Sequence, residues 1–120
     1  MDFRLHLLKA QRNESFLFDF LMKNVKDCPD WVSVVAFYSA LHFVEAFLNK
    51  NHGLHFEYHE DRHSYMSNHL AEIFNAYHHL YDLGYAARYE SIKDSPTYDE
   101  AISAVKFELA EIKEYVMSRI

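Results

Sequence analysis

Apolar residues recur at helical spacing along the chain and predict four main helical segments. The first extends over about residues 3–25, and its polar stretch at residues 12–14 predicts a break or fraying. The second covers about residues 29–51, and we expect Gly53 to end it. This second segment carries apolar side chains on nearly every side, so we expect other helices to cover most of its faces.

The C-terminal half of the chain predicts a loop followed by two further long helices. Residues 53–58 form the loop, and the apolar stripe of the third helix continues to about Asp82. Gly84 predicts a break, with residues 85–91 as a short additional helix or as the continuation of a kinked one. The last helix begins near Pro96 and continues to the end of the chain. Short connections between long helices imply an all-α, up-and-down bundle of four to five helices, with the second helix in the middle.

The composition favours one well-packed helical domain. Half of the 120 residues are hydrophobic and 17% are aromatic, which excludes intrinsic disorder. A chain of this length can bury a core without disulfides, so we expect a single domain over residues 1–120. The large apolar side chains outnumber what one small bundle needs, and this excess predicts a homodimer.

Cysteine content, apolar runs and charge indicate a cytoplasmic protein. Cys28 is the single cysteine, so it cannot form an internal disulfide or a thiolate metal cluster. The N-terminal residues lack the apolar core of a signal peptide, and no apolar stretch reaches the roughly 18 uninterrupted residues of a membrane span. The formal net charge of −6 argues against an indiscriminate nucleic-acid binder but leaves room for a small local site.

A histidine and a glutamate lie within the apolar part of the second helix and need partners. An unpaired imidazole or carboxylate buried at His42 or Glu45 would cost a few kcal/mol. Their i, i+3 spacing resembles half of a carboxylate–histidine metal site, but a di-iron bundle needs several such carboxylates on facing helices. We therefore expect His42 to be a satisfied core histidine, bonded to Tyr38, Glu45, Arg62 or Arg88.

Three segments, taken in order, resemble the HEPN superfamily, small helical-bundle proteins found in prokaryotic defence systems and beside minimal nucleotidyltransferases. The segments are DWVSVVAFYSALHFVEAFL, then HEDR after a short loop, and then YHHLYDLGYAARY. The resemblance covers about residues 13–115 and rests on the order of a YxAxH-like helix, a loop ending in H-x-x-R and a later A-R-Y. It implies a HEPN-like bundle that acts in RNA-related, nucleotide-related or defence biology.

The resemblance implies a metal-independent endoribonuclease as one function. Many HEPN proteins use an Arg followed four to six residues later by a His, often in a composite site at a dimer interface. Arg62 and His69 have six residues between them, and a separation of about two helical turns places both on one face. The histidine would act as general base or acid at a ribose 2′-hydroxyl, and the arginine would stabilise the phosphorane. His59 and Arg88 would support the pair.

This chain matches the endoribonuclease motif only in part. His63 follows Arg62, which agrees with the polar residue usual at that position, but no Tyr follows His69. The chain has nine histidines, so an Arg and a His at a permitted spacing also arise by chance. The simpler interpretation makes Arg62 an electrostatic cap of the bundle and His69 a solvated helix residue.

The same segment contains H-E-x-x-H at residues 59–63, the motif of zinc hydrolases. In those enzymes both histidines face the metal from an established helix, and the glutamate activates water. His59 instead follows a loop, so we expect no catalytic metal and no cofactor, and His59 and His63 remain only a remote alternative. A non-catalytic metal site is a further alternative, because His55, His59 and His63 are spaced by four.

These arguments leave two main functions and a remote third. The acidic net charge and the partial motif favour a non-catalytic module that binds a nucleotide, RNA or a partner protein. Its binding residues are expected to be His42, His59, His63, Arg88 and Tyr89. The alternative is the endoribonuclease, and the remote alternative is the zinc hydrolase. The resemblance implies a homodimer with an antitoxin or a nucleotidyltransferase as partner, and we expect no membrane association.

Overall fold

The computed structural model describes residues 2–120, apart from the side chain of Ile92, and its regular structure is entirely helical over those residues. The elements are α1 (Phe3–Asp19), a 3-10 turn (Leu21–Asn24), α2 (Pro29–Phe47), a π turn (Leu48–His52), α3 (His59–His69), α4 (Ala71–Tyr89), a 3-10 turn (Ile92–Asp94), α5 (Tyr98–Ser103), a π turn (Ala104–Leu109) and α6 (Ala110–Met117). Because α5, the second π turn and α6 follow one another without a gap, they form one C-terminal helical segment. The prediction of an all-α protein is confirmed.

Local chemistry explains where several helices begin and end. The side chain of Asp2 accepts hydrogen bonds from two backbone N–H groups in the first turn of α1. Thr97 and Glu100 form a reciprocal capping box at the start of α5. Gly53 follows the π turn with a φ of 67°, a left-handed conformation that glycine adopts without steric cost.

The apolar helix α2 is central, as predicted. It packs against α1, α4 and the C-terminal helical segment. By length and composition Pro29–His52 could cross a membrane, but 78% of its apolar 18-residue stretch is buried inside the protein. The apolar faces of α2 are therefore covered by its own neighbours. The buried cluster around it includes Phe37, Phe43, Leu48, Tyr77, Leu80, Leu109 and Ile112.

The predicted break in α1 is wrong. The helix is continuous through residues 12–14. Ala10 and Leu17 lie on its buried face, and the polar residues between them lie on the side that faces the surface. Glu14 is stabilised there by an ion pair with Lys113, at 2.8 Å between carboxylate oxygen and ammonium nitrogen. A polar stretch on the outer side of an amphipathic helix does not interrupt it.

The breaks in the second half lie elsewhere than predicted. α4 continues through Gly84, and the chain instead departs from helical geometry at Leu70, which separates α3 from α4 with φ −128° and ψ 46°. Gly84 has a packing role, since a Cβ built there would lie only 3.1 Å from the Cβ of Phe37. The glycine allows α4 to approach α2 closely and does not end the helix.

Candidate functional site

A buried ion pair joins α2 to α3. Glu45 is 1% exposed and Arg62 is 3% exposed, and Arg62 Nε lies 2.6 Å from Glu45 Oε1. Arg62 Nη2 donates to the carbonyl oxygen of Phe56 at 2.6 Å, and Nη1 lies 3.2 Å from His59 Nδ1. Arg62 is therefore the partner that the burial of Glu45 requires, and each nitrogen of its guanidinium has a neighbour inside the protein.

The second oxygen of Glu45 faces the loop that precedes α3. The backbone N–H of Phe56 donates to Oε2 at 3.4 Å, and Nδ1 of His55 lies 3.3 Å from the same oxygen. The side chain of His55 is 42% exposed, so this end of the carboxylate lies near the surface. One carboxylate thus connects the centre of α2 with both the loop and α3.

The first helix brings a further histidine to this place. Nδ1 of His6 lies 3.0 Å from Nδ1 of His42, a distance at which one ring donates a hydrogen bond to the other. The His6 ring also stacks against His42 and His55, with centroid distances of 5.3 Å and 5.5 Å. His42 is hydrogen-bonded as expected, but its partner is His6 rather than any of the four residues proposed from the sequence.

The rings of His6 and His42 are neutral near pH 7. Burial lowers the pKa of His6 to about 4 and outweighs the raising effect of the Glu45 carboxylate. Burial, together with the positive charge of Lys9, lowers the pKa of His42 to about 4 as well. Nε2 of His6 is buried and has no hydrogen-bond partner among the described residues. A neutral imidazole nitrogen is thus left free beside Glu45 and His55.

The H-E-x-x-H segment forms the start of α3. His59 is the first residue of the helix, its Nδ1 faces the guanidinium of Arg62, and Glu60 is exposed. The His63 ring packs edge-on against Tyr81 at a centroid distance of 4.5 Å, and burial lowers its pKa to about 4. Nδ1 of His59 is already engaged with Arg62, so this contact does not favour a zinc hydrolase.

Arg62 and His69 have different surroundings. Arg62 is buried in the contacts with Glu45, whereas His69 is exposed and stacks against Tyr65 at a centroid distance of 4.4 Å. The hydroxyl of Tyr65 lies 2.6 Å from Nδ1 of His52, at the end of the α2 π turn. The described hydrogen bonds and ring contacts of these two residues share no neighbour, and the catalytic role of the pair stays a prediction.

An open cleft of about 480 Å³ lies between α1 and α2, beside the cluster formed by His6, His42 and His55. Lys9 and Arg12 project from α1, and neither has an acidic partner within 4.0 Å among the residues that the structure describes. The nearby carboxylate of Glu14 is already paired with Lys113. The cleft is therefore locally positive on a protein whose net charge is −6. Its lining residues are Lys9, Arg12, Asn13, Phe16, Val35, Tyr38 and His42.

Arg88 contacts Tyr38, one of the residues that line this cleft. Its guanidinium stacks over Tyr38 at 5.2 Å from the ring centroid, and its Nη1 donates to the Tyr38 hydroxyl. The same guanidinium lies 5.3 Å from the ring centroid of Tyr89, which is 67% exposed. Tyr38 belongs to the lining of the cleft, so Arg88 fixes one of its walls, while Tyr89 lies on the outer side of the arginine.

The comparisons with known proteins find no protein-family model that matches the chain and no match among curated proteins or solved structures.

Sequence reasoning missed three residues of this region, which are His6, Lys9 and Arg12. The burial of His6 could have been predicted, because His6, Ala10 and Leu17 lie at helical spacing on the buried face of α1. A polar residue on an apolar stripe needs a partner, which is the argument that selected His42. The positions of Lys9 and Arg12 at a cleft depend on helix packing, which no spacing rule on one helix reveals. Tyr38 and His55 were named from the sequence, but their contacts with Arg88 and Glu45 were not predicted.

Proposed function

We propose that this protein is a non-catalytic, HEPN-like binding module whose ligand is a nucleotide or an RNA strand, bound by its phosphate in the α1–α2 cleft. The observation that carries the proposal is the pair of cations, Lys9 and Arg12, beside aromatic rings in an open cleft. An acidic protein repels phosphate over most of its surface, so a local pair of unpaired cations makes the cleft the favoured place for that ligand.

The lining residues match the parts of a nucleotide. Arg12 offers the planar guanidinium that binds phosphate oxygens in pairs, and Lys9 adds a flexible point charge. Phe16 and Tyr38 offer aromatic surface on which a base can stack. Arg88 restrains the Tyr38 ring, which lowers the entropy lost when a base stacks on it.

Two observations support the HEPN-like part of the proposal. The three quoted sequence segments lie on α2, at the start of α3 and on α4, so all of them are helical, as a helical-bundle family requires. The apolar helix and the H-x-x-R segment are joined directly by the ion pair between Glu45 and Arg62. This arrangement also uses Arg62 for the fold, and for that reason the binding module is favoured over the endoribonuclease.

Binding to the cleft is tested by titrating the protein against a short fluorescein-labelled oligouridylate and by competing the labelled strand with ATP. The variant combines Lys9→Ala and Arg12→Ala, and the control combines Lys23→Ala and Lys106→Ala, two exposed lysines outside the cleft. We expect the cleft variant to lose roughly tenfold in affinity for each cation removed, because a hydrogen bond to a charged group contributes about 1.5–3 kcal/mol. Equal affinities of the two variants would contradict the proposal.

Incubation of the same RNA in EDTA tests the endoribonuclease alternative. The binding module leaves the strand intact, whereas the endoribonuclease cleaves it and depends on His69. His69→Ala is the informative variant, because His69 is exposed and its removal leaves the core unchanged. Arg62→Ala is less informative, since it leaves Glu45 buried without its cation. Cleavage that His69→Ala abolishes would replace our proposal with the endoribonuclease.

A further inference from the structure

Three potential metal ligands from different parts of the chain meet beside the cleft. They are His6 on α1, Glu45 on α2 and His55 on the loop before α3, and one ligand atom from each lies within 4.8 Å of the other two. His6 and Glu45 are 3% and 1% exposed, whereas His55 is exposed. We infer that these three residues form a binding site for a divalent transition-metal cation of the zinc type.

The free nitrogen of His6 is the first argument for the site. Its Nδ1 is engaged with His42, and its Nε2 is buried without a hydrogen-bond partner among the described residues. Burying a polar atom without a partner is energetically costly, and such atoms are rare in folded proteins. A cation bound to Nε2 would remove this cost, because the lone pair of a neutral imidazole is a strong ligand for zinc.

The distance between two of the ligands already suits a bound ion. Nδ1 of His55 and Oε2 of Glu45 are 3.3 Å apart. Two ligand atoms that each lie about 2.0–2.1 Å from one zinc ion in tetrahedral geometry are about 3.3–3.4 Å apart. The ligand atom of His6 lies within 4.8 Å of the other two, so it has to approach them by up to about 1.5 Å to reach a common zinc ion. A rotation of the exposed His55 ring and a small shift of the N-terminal helix would provide this approach.

Two neighbouring residues, His42 and Arg62, orient the ligands His6 and Glu45, as residues that surround the ligands of a metal site commonly do. A histidine that binds a metal through one nitrogen usually forms a hydrogen bond through the other, and Nδ1 of His6 has that bond with His42. A carboxylate ligand is commonly oriented by a second hydrogen bond, and Arg62 Nε binds Oε1 of Glu45 while leaving Oε2 to face His55. The two buried ligands are thus oriented before any ion arrives.

The ligand types select the cation class. Two imidazoles and one carboxylate suit zinc and related transition metals, whereas calcium and magnesium prefer sites made of oxygen atoms. Three protein ligands also leave one tetrahedral position open, so a water molecule or a ligand group can complete the coordination. Because His42 borders the cleft and contacts His6, the ion would lie next to the proposed phosphate site, but its binding does not depend on that function.

The test is isothermal titration of the purified protein with zinc chloride, using wild type, His55→Ala and the control His79→Ala. His55 lies on a surface loop, so its removal leaves the core intact, and His79 is an equally exposed histidine that also contacts a glutamate, Glu108. We expect one zinc ion per chain. His55→Ala should weaken its binding at least tenfold, and His79→Ala should leave the dissociation constant unchanged.

Two further readouts locate the ion. Zinc should raise the melting temperature of wild type and not that of His55→Ala, since the ion joins α1, α2 and the loop. Anomalous scattering at the zinc edge should show a peak between His6, Glu45 and His55. Equal zinc affinities of wild type and His55→Ala, no binding to wild type, or a peak only at other surface histidines would overturn the inference. None of these results depends on nucleotide binding.

Discussion

Removing one residue of the Glu45–Arg62 pair should lower the free energy of unfolding more than removing both. Both charges are almost fully buried, and their nitrogen and oxygen atoms are 2.6 Å apart. The desolvation of both ions opposes their attraction, so the pair as a whole contributes little stability. A single remaining charge keeps its desolvation cost without any attraction.

Arg62→Ala should therefore lower the free energy of unfolding by about 3–5 kcal/mol, because it leaves the Glu45 carboxylate buried and unpaired. The double variant Glu45→Leu, Arg62→Met should recover much of that loss. Urea denaturation monitored by circular dichroism measures both, with the exposed Arg12→Ala as control, for which we expect a change within about 0.5 kcal/mol. If the double variant lost as much free energy of unfolding as Arg62→Ala, the pair would stabilise the fold by more than each residue neutralising the other's buried charge.

His63 makes folding stability depend on pH. Burial lowers its pKa to about 4 in the folded protein from an ordinary value of 6.5, so the folded state favours the neutral ring. Between pH 6.5 and pH 4 the unfolded chain binds the proton more readily, and stability falls as the pH falls through this range. The pKa values of His6 and His42 are lowered in the same direction and add to the effect.

His63→Phe should reduce this loss of stability in acid. Phenylalanine keeps an aromatic ring against Tyr81, cannot be protonated and removes a buried nitrogen that has no partner among the described residues. The variant should match wild type at pH 7.5 within about 1 kcal/mol and lose less stability than wild type at pH 5. Urea denaturation at the two pH values provides the comparison, and parallel losses in both proteins would exclude a role for His63.

At the scale of helices, close packing of α4 on α2 depends on one glycine. A Cβ at Gly84 would lie 3.1 Å from the Cβ of Phe37 and 3.3 Å from its Cγ, inside ordinary contact distance. Phe37 is fully buried and cannot move away without disturbing the core. The steric cost acts on the contact between two helices and not on the backbone conformation of α4 itself.

Gly84→Ala should lower the free energy of unfolding by about 1 kcal/mol. Overpacking costs about 1–3 kcal/mol and outweighs the roughly 1 kcal/mol that alanine contributes through its higher helix propensity. Asn75→Ala, at an exposed position of the same helix, isolates the propensity effect and should stabilise slightly. Thermal denaturation of the two variants decides the sign, and stabilisation by Gly84→Ala would mean that α2 and α4 separate without cost.

At the scale of the whole molecule, the protein leaves many large apolar side chains on its surface. Phe20, which follows the end of α1, is 61% exposed. Trp31, at the start of α2, is 59% exposed. A homodimer would cover such exposed side chains, and a dimer therefore stays a prediction of the sequence and of the HEPN resemblance.

Multi-angle light scattering after size exclusion should accordingly give a mass of twice 14.3 kDa. Phe20→Glu should shift the protein toward the monomer, because a buried carboxylate at an interface has no partner. Phe107→Glu is the matched control, since Phe107 is 70% exposed and belongs to the C-terminal helical segment rather than to α1. A monomeric wild type, or equal effects of the two variants, would contradict dimerisation through α1.

The sequence by itself determined the helical class, the central position of α2 and the need for partners at Glu45 and His42. These conclusions depend on the spacing of apolar residues within one helix and on the cost of burying a polar group, and both are local properties. The stripe on α1 also contained the information that His6 is buried. The predicted break at Gly84 is wrong, because this glycine serves a close contact with α2 that cannot be read from one helix.

The tertiary structure decided which residues meet. Arg62 rather than Arg88 reaches Glu45, His6 rather than any residue of α2 or α3 reaches His42, and Lys9 and Arg12 border an open cleft. Each of these contacts joins segments distant along the chain, and their geometry depends on how the helices are rotated and how closely they pack. The close approach at Gly84 and the break at Leu70 set that geometry for α3 and α4, and no periodicity within a single helix records it.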